Sequence, residues 1–172
     1  KFPFATDGNA TDVGDLSGIR IQLSGSSSST SGYTTGGQNS SYTATDIIDK
    51  FPFSSDSNAT DVGELTGSHR FMAGQNSDVS GYATDSSLSS NHIQKFPFAS
   101  DGSATSVGDI TARKTVATSG QSSTESGYVS GGKWPTSGFL TTIEKFPFAS
   151  DTNASDIADL TQARVEATGQ QV

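Results

Sequence analysis

The chain has 172 residues, a length that fits one domain. Its 10 lysines and arginines are outnumbered by 18 aspartates and glutamates, and no basic stripe is present, so nucleic acid is not an expected partner. The absence of cysteine excludes disulfides and thiolate metal sites. No run of about 18 apolar residues occurs, so no membrane span is predicted.

The dominant feature of the sequence is the tetrapeptide Lys-Phe-Pro-Phe, which begins at residues 1, 50, 95 and 145. A period of about 45–50 residues indicates that one supersecondary unit is copied and packed against itself. We therefore predict a single repeat domain, 1–172, with units 1–49, 50–94 and 95–144 and a partial unit 145–172.

Each unit contains four short segments of strand character. In the first unit these are the segment that ends in Phe-Pro-Phe, the Val-Gly-Asp-Leu stretch at 13–16, the stretch after Arg20, and the tyrosine segment that runs into Gly36-Gly37. All are bounded by Gly, Ser, Asn, Asp or Pro, and no window has the apolar period of a helix. The sequence predicts an all-β fold with four short antiparallel strands per unit.

Aromatic residues recur at fixed positions of the unit and are the predicted core, because each unit is expected to bury the same side chains against its neighbour. The set comprises Phe2, Phe4, Phe51, Phe53, Phe96, Phe98, Phe146, Phe148, Tyr33, Tyr82 and Tyr128.

An Asp-x-Asn-x-x-Asp turn follows Phe-Pro-Phe. Such side chains bond their own backbone in Asx turns, and this is the preferred interpretation. Carboxylate and amide oxygens are also calcium ligands, so a calcium site is the alternative, and it is the one cofactor considered. The candidate ligands are Asp7, Asn9, Asp12, Asp56, Asn58, Asp61, Asp151, Asn153 and Asp156. The third unit has Ser103 and Ser106 at two of these positions, which argues against a metal needed by every unit.

No catalytic constellation is evident. The two histidines, His69 and His92, lie at unrelated points of the unit and are predicted surface or turn residues. Aromatic and neighbouring residues in the variable loops are better candidates for contact with a ligand or partner, since loops on a rigid scaffold often carry function. These candidates are Tyr42, Trp134 and Pro135.

The order of landmarks is similar to that of kelch repeats. A Gly-Gly pair (36–37 or 131–132) is followed by the aromatic segment, a polar turn, a short outer strand and an arginine. The kelch tryptophan is missing, and Ala83-Thr84-Asp85 replaces Gly-Gly in the second unit. The resemblance implies a β-propeller with about three and a half blades in this chain. Either the chain closes a small ring, or it is an arc of a larger wheel completed by further chain or another subunit, which we favour.

The blocks at 51–66 and 146–161 resemble repeats of structural proteins of marine tailed bacteriophages. This resemblance implies a non-enzymatic structural or adhesive virion component, in the tail, a fibre or the capsid surface. Its expected partners are other virion subunits or copies of itself, and a host-surface glycan or receptor. The alternative is a carbohydrate- or protein-binding propeller of cellular origin that is secreted or held at the cell surface. A propeller enzyme is a third, less favoured reading.

Overall fold

A computed structural model describes residues 1–3, 5–85, 90–111, 113–114, 118–134, 136 and 138–169. The described chain contains 14 strands in four antiparallel sheets and no helix, so the all-β prediction is confirmed. The strands are β1 (Ser24–Ser27), β2 (Ser31–Thr35), β3 (Thr45–Pro52), β4 (Thr60–His69), β5 (Ala73–Asn76), β6 (Ser80–Thr84), β7 (His92–Pro97), β8 (Thr105–Asp109), β9 (Ser119–Ser122), β10 (Ser126–Ser130), β11 (Lys133–Trp134), β12 (Gly138–Phe139), β13 (Thr142–Pro147) and β14 (Ser155–Asp159).

Three sheets have four strands each, and in each one neighbouring strands follow one another along the chain. The first sheet is β1-β2-β3-β4, the second is β5-β6-β7-β8, and the third is β9-β10-β13-β14. The hairpin β11-β12 lies between β10 and β13. Contacts join β1 to β5 and β5 to β9, so consecutive sheets are stacked. Within the described ranges the sheets form no closed propeller.

Serine side chains order the turn between the first two strands of each four-stranded sheet. The backbone N–H of Ser31 donates to Ser28 Oγ at 3.0 Å, and the N–H of Ser80 and Ser126 donate in the same way to the hydroxyls of Ser77 and Ser123. Serine hydroxyls commonly mimic a backbone turn in this manner. The serine-rich segment 24–31 is therefore β1 and its turn.

The core lies between the sheets. Tyr33 of the first sheet stacks on Phe98 of the second, with ring centroids 4.8 Å apart, and Phe96 lies beside them. Tyr82 of the second sheet stacks on Phe148 of the third at the same distance. The Phe-Pro-Phe groups of the second and third sheets therefore pack on the tyrosine of the preceding sheet. The buried clusters around these rings include Ile48, Leu65, Ile93 and Val129.

The predicted core residues divide according to whether a preceding sheet covers them. Phe96, Phe146, Tyr33 and Tyr82 are buried; Phe98, Phe148, Phe51 and Tyr128 are half-buried. Phe53 and Phe2 are exposed, by 50% and 59%, so the prediction of core positions is wrong for these two. Among the described residues no tyrosine ring contact covers Phe53, whereas Phe98 and Phe148 each stack on a tyrosine of the preceding sheet. Phe4 lies outside the described residues.

Close backbone contact between the sheets requires glycine. A Cβ on Gly74 would lie 2.0 Å from the carbonyl oxygen of Gly25, and one on Gly120 would lie 2.3 Å from that of Gly74. On the fourth strands, a Cβ on Gly63 or Gly108 would come within 2.5 Å of the backbone of the following unit. These distances leave no room for a side chain, so glycine sets the spacing of the stack.

The segment at 13–16 was predicted to be a strand, and it is not one. In later units the fourth strand pairs with the residues just before and at the repeated lysine, such as Ile93 and Lys95. In the first unit only the last pairing has a counterpart: Thr11 N–H donates to the Lys1 carbonyl and the Lys1 amine donates to the Thr11 carbonyl, both at 2.8 Å. One such pair of bonds does not form a ladder.

Candidate functional site at the loop end of the sheets

The Asp-x-Asn turns connect each unit to the one before it. Lys1, Lys50 and Lys95 form salt bridges with an aspartate of the following unit, at 3.0, 2.8 and 3.1 Å; the aspartates are Asp56, Asp101 and Asp151. The Oδ1 of Asn58 accepts the backbone N–H of Asp15 at 3.0 Å, and that of Asn153 accepts the N–H of Asp109 at 3.1 Å. The turns therefore bind the fourth-strand segment of the preceding unit.

These contacts separate the side chains proposed as calcium ligands. In the second unit Asp56 binds Lys1, Asn58 binds the backbone of Asp15, and Asp61 accepts the N–H of Gly63. Among the described residues no group of three or more acidic or histidine side chains is placed to hold a metal ion. The structure thus gives no support to the calcium alternative for the nine residues Asp7, Asn9, Asp12, Asp56, Asn58, Asp61, Asp151, Asn153 and Asp156. Six of them bond to separate partners instead of facing one centre: Asp12, Asp56, Asn58, Asp61, Asp151 and Asn153.

Buried ion pairs lie in the first and third sheets, near the end of each sheet that carries the variable loop. Arg20 pairs with Asp49 in the first sheet, and the Lys114 ammonium lies 2.7 Å from Glu144 in the third. All four side chains are fully or almost fully buried. A buried charge requires a partner, because the cost of removing it from water is otherwise uncompensated. Arg20 also donates to the Gly36 carbonyl at 2.9 Å, which ties the pair to the loop.

The second sheet replaces this pair by a different network. His69 Nε2 lies 3.4 Å from Asp85, whose oxygens also accept from Ser90 Oγ at 2.6 Å and Gln94 Nε2 at 2.8 Å. Burial raises the pKa of Asp85, and the hydrogen bond from Ser90 and the nearby imidazole partly oppose this. Ser90 bonds to the carboxylate and not to His69, so these residues are not arranged as a nucleophilic triad.

The role of His69 was missed in the sequence, where it was predicted at the surface. A signal was present: His69 follows Leu65 by four residues, as Arg20 follows Leu16 and Lys114 follows Ile110. The histidine occupies the position of the buried cation. Asp85 occupies the position that glycine holds in the first and third sheets.

The loop between β2 and β3 presents Tyr42 to solvent. The Oδ1 of Asn39 accepts the N–H of Ser41 at 3.0 Å and of Thr43 at 3.1 Å, and Tyr42 N–H donates to the Asn39 carbonyl at 3.0 Å. Tyr42 has a φ of 61° and is 76% exposed. A left-handed conformation costs a non-glycine residue about 1–3 kcal/mol and persists only where the surrounding structure enforces it. Here the Asn39 side chain does so.

Apolar side chains surround Tyr42. Ile19 and Ile21 are both exposed, and with Gln38 and Tyr42 they line a shallow cavity of 110 Å³. Two backbone hydrogen bonds between Ile21 and Gln38, of 3.0 and 2.9 Å, hold the isoleucines beside the loop. We name Ile19, Ile21 and Tyr42 the tyrosine patch. An exposed apolar group on a rigid loop is a common feature of binding surfaces.

Trp134 lies in the corresponding region of the third sheet. It pairs with Gly138 in the β11-β12 hairpin, where Lys133 pairs with Phe139. Trp134 is half-buried, whereas Phe139 is exposed. Trp134 and Tyr42 therefore belong to separate loops, with the second sheet between their own sheets. Pro135 lies outside the described residues.

No protein-family model matches this chain, and no curated protein matches it. The part of the chain that the structure describes has no helix with the length and apolar character needed to cross a membrane.

Proposed function

We propose that this chain is a non-enzymatic structural and adhesive component of a bacteriophage virion, in which the stacked sheets form an arc of a kelch-like propeller. The observation that carries the adhesive part is the tyrosine patch, an aromatic side chain held outward in a costly backbone conformation beside two exposed isoleucines. The virion assignment is supported by the resemblance of the Phe-Pro-Phe blocks to phage structural proteins.

The proposed mechanism is weak contact repeated many times. Tyrosine and tryptophan offer an apolar ring face together with a polar atom, which suits a sugar or a protein surface. A single shallow patch of this size binds weakly, but a particle that displays many copies gains avidity through effective concentration. The formal charge of −8 favours an uncharged or cationic receptor over a polyanionic one.

A glycan array with multivalent protein tests the adhesive role. We expect Tyr42→Ala to lower binding about tenfold, the usual effect of removing a central aromatic contact. Trp134→Ala is expected to have a smaller effect, because the indole is half-buried.

Phe53→Ala is the matched control. Phe53 is also an exposed aromatic residue, but its backbone N–H bonds to Thr30, at the end of the sheet opposite the tyrosine patch. Equal losses in Tyr42→Ala and Phe53→Ala, or unchanged binding in Tyr42→Ala, would contradict the assignment of the site.

The second candidate is a carbohydrate- or protein-binding propeller of cellular origin, secreted or held at the cell surface. It is favoured by the same tyrosine patch, which does not depend on a particle. Mass spectrometry of purified phage particles separates the two, because only a virion component is recovered with capsid and tail proteins.

A further inference from the structure

The turn between β7 and β8 contains the dipeptide Asp101-Gly102, which lies in the contact between the first and second sheets. An aspartate followed by glycine forms a succinimide readily, because glycine has no side chain to shield its backbone nitrogen. We infer that Asp101 is a site of spontaneous isomerisation to isoaspartate, that Lys50 slows this reaction, and that the product loosens the contact between the two sheets. This inference does not depend on the proposed adhesive role.

The reaction requires only water and the groups of this turn. The backbone nitrogen of Gly102 attacks Cγ of the protonated Asp101 carboxyl group, and the amide proton and the carboxyl hydroxyl leave as water. A second water molecule then opens the cyclic imide. Cleavage of the bond from nitrogen to Cγ restores aspartate, whereas cleavage of the bond from nitrogen to the main-chain carbonyl carbon gives isoaspartate, whose main chain runs through Cβ. One water is released and one is taken up, so the mass of the chain is unchanged.

The turn between β13 and β14 provides a matched site within the same chain. Asp101 and Asp151 each form a salt bridge with a lysine, at 2.8 and 3.1 Å, and each side chain is 57% exposed. They differ in the next residue, which is Gly102 in one turn and Thr152 in the other. A Cβ at position 102 would meet no atom within 4 Å, so the space beside that backbone nitrogen is open. A β-branched threonine crowds its own backbone, so Asp151 is expected to be the protected site.

Contacts with the first sheet restrain the turn on both sides of Gly102. The Lys50 ammonium donates to Asp101 Oδ1 at 2.8 Å, and Ser103 Oγ donates to Glu64 Oε2 at 3.0 Å. The salt bridge directs the carboxylate toward the lysine, whereas ring closure requires Cγ to turn toward the next backbone nitrogen. Because Asp101 must leave Lys50 before the ring can close, Lys50 acts as a positioning residue that lowers the rate.

Isoaspartate adds a carbon to the main chain just before the residues that bind the first sheet. Ala104 N–H donates to the Glu64 carbonyl at 2.8 Å. The Gly102 carbonyl lies so close to Gly63 that a Cβ on Gly63 would be 2.5 Å from it. A longer main chain displaces these groups from their partners. The remaining carboxylate is attached directly to Cα and is one bond farther from Lys50, so the product loses contacts on both sides of the turn.

Storage of the full chain at neutral pH in ¹⁸O-labelled water tests the site. The tryptic peptide that contains Asp101 should separate into two chromatographic forms, of which the isoaspartate form is methylated by isoaspartyl methyltransferase and carries one ¹⁸O. We expect isoaspartate at Asp101 to exceed that at Asp151 about tenfold, because only Asp101 is followed by glycine. The urea-unfolded chain is the positive control for the chemistry. Equal isoaspartate at the two sites, or none in the folded chain after the unfolded chain has converted, would overturn the inference.

Substitutions in the two turns exchange the features that set the rate. Gly102→Thr should lower isomerisation at Asp101 to the level of Asp151, and Thr152→Gly should raise Asp151 to the level of Asp101. Lys50→Gln should raise the rate at Asp101 about threefold, since a partly exposed salt bridge restrains the carboxylate only modestly. Lys95→Gln removes the equivalent lysine of the other turn and should leave Asp101 unchanged. An unchanged rate in Lys50→Gln would refute the role of Lys50.

Hydrogen exchange in the chromatographically separated isoaspartate form measures the effect on the sheet contact. The Ala104 N–H should exchange about tenfold faster than in the parent protein, because its bond to the first sheet is weakened. The Ala154 N–H donates to the Asp109 carbonyl at 2.8 Å in the equivalent contact between the second and third sheets, and its exchange should not change. Equal exchange of Ala104 in the two forms would contradict the loosening of the contact.

Discussion

At the residue scale, the same buried position carries chemically different side chains in the three four-stranded sheets. Asp49 and Glu144 each pair with a buried cation, whereas the second sheet has the neutral Gln94 there and brings in Asp85 beside His69. A buried carboxylate with a 3.4 Å imidazole contact is less well compensated than one with a close ammonium or guanidinium group. The buried charge of Asp85 is therefore the least well compensated of the three.

The free energy of unfolding should depend on pH through Asp85. Burial raises the folded-state pKa of Asp85 above its ordinary value of 3.8, so the folded state holds this proton more tightly than the unfolded state. The stabilisation is complete below pH 3.8 and is lost as pH rises through the raised value. Asp85→Asn should remove this loss, because an asparagine still accepts from Gln94 and does not ionise.

Urea denaturation of both proteins between acidic and neutral pH provides the measurement. The groups that face Asp85 are His69, Ser90, Gln94 and His92, and all are retained in the variant. Asp78→Asn, on an exposed turn, serves as the control and should leave the pH profile unchanged. Parallel profiles for Asp85→Asn and the parent protein would show that Asp85 does not ionise differently on folding.

At the scale of the elements, the first strand of each four-stranded sheet lies close to the first strand of the next sheet. This close approach stabilises strands that are individually short. The Gly25, Gly74 and Gly120 backbones are stacked, with no space for a Cβ between them. Ser122 Oγ accepts the Asn76 N–H at 2.9 Å, and Gln75 donates to the Tyr128 carbonyl at 3.2 Å. Glycine thus contributes to the stack by its lack of a side chain, and neighbouring polar groups bond across the same gap.

Gly74→Ala should destabilise the protein by about 3 kcal/mol, because the added carbon would overlap a backbone oxygen that cannot move without separating β1 from β5. Gly102→Ala is the control, since nothing lies within 4 Å of a Cβ at that position. Its effect should stay within about 0.5 kcal/mol, as for an ordinary surface substitution. Equal effects on the free energy of unfolding, measured by denaturant titration, would contradict the close stacking of the sheets.

At the scale of the whole molecule, the sheets differ in how much of their surface is covered. The second sheet lies between two hydrophobic clusters, one shared with the first sheet and one shared with the third. In repeat architectures stability is close to the sum of each unit and its nearest-neighbour contacts. The second sheet is the only four-stranded sheet of the described chain with a neighbour of that kind on both faces.

Hydrogen exchange should therefore be slowest in β6 and β7. These strands are central in the second sheet, so their backbone groups are paired on both sides and their side chains are buried from both directions. The equivalent strands β2 and β3 belong to a sheet with one four-stranded neighbour among the described residues, and they are an internal comparison. Faster exchange in β6 and β7 than in β2 and β3, followed by mass spectrometry, would contradict nearest-neighbour stabilisation.

Much of the fold is predictable from the repeated tetrapeptide and from local turn residues. The all-β character and the absence of helical periodicity follow from patterns within a few residues of each position. The aromatic loop residue Tyr42 also stands out in the sequence because it is not repeated. The left-handed conformation of Tyr42 cannot be predicted from the sequence, because it depends on hydrogen bonds from the N–H groups of Ser41 and Thr43 to the Asn39 side chain.

What the sequence alone determined is the period, the strand content and the set of aromatic residues that recur. Only the tertiary structure decided which of them are buried. Phe53 and Phe98 have nearly identical local sequences, yet Phe53 is exposed and Phe98 stacks on Tyr33. The tertiary structure likewise decided that Asn58 binds an adjacent unit and that His69 faces Asp85. The physical reason is that burial and pairing depend on which sheet lies alongside, and local sequence does not specify the neighbour.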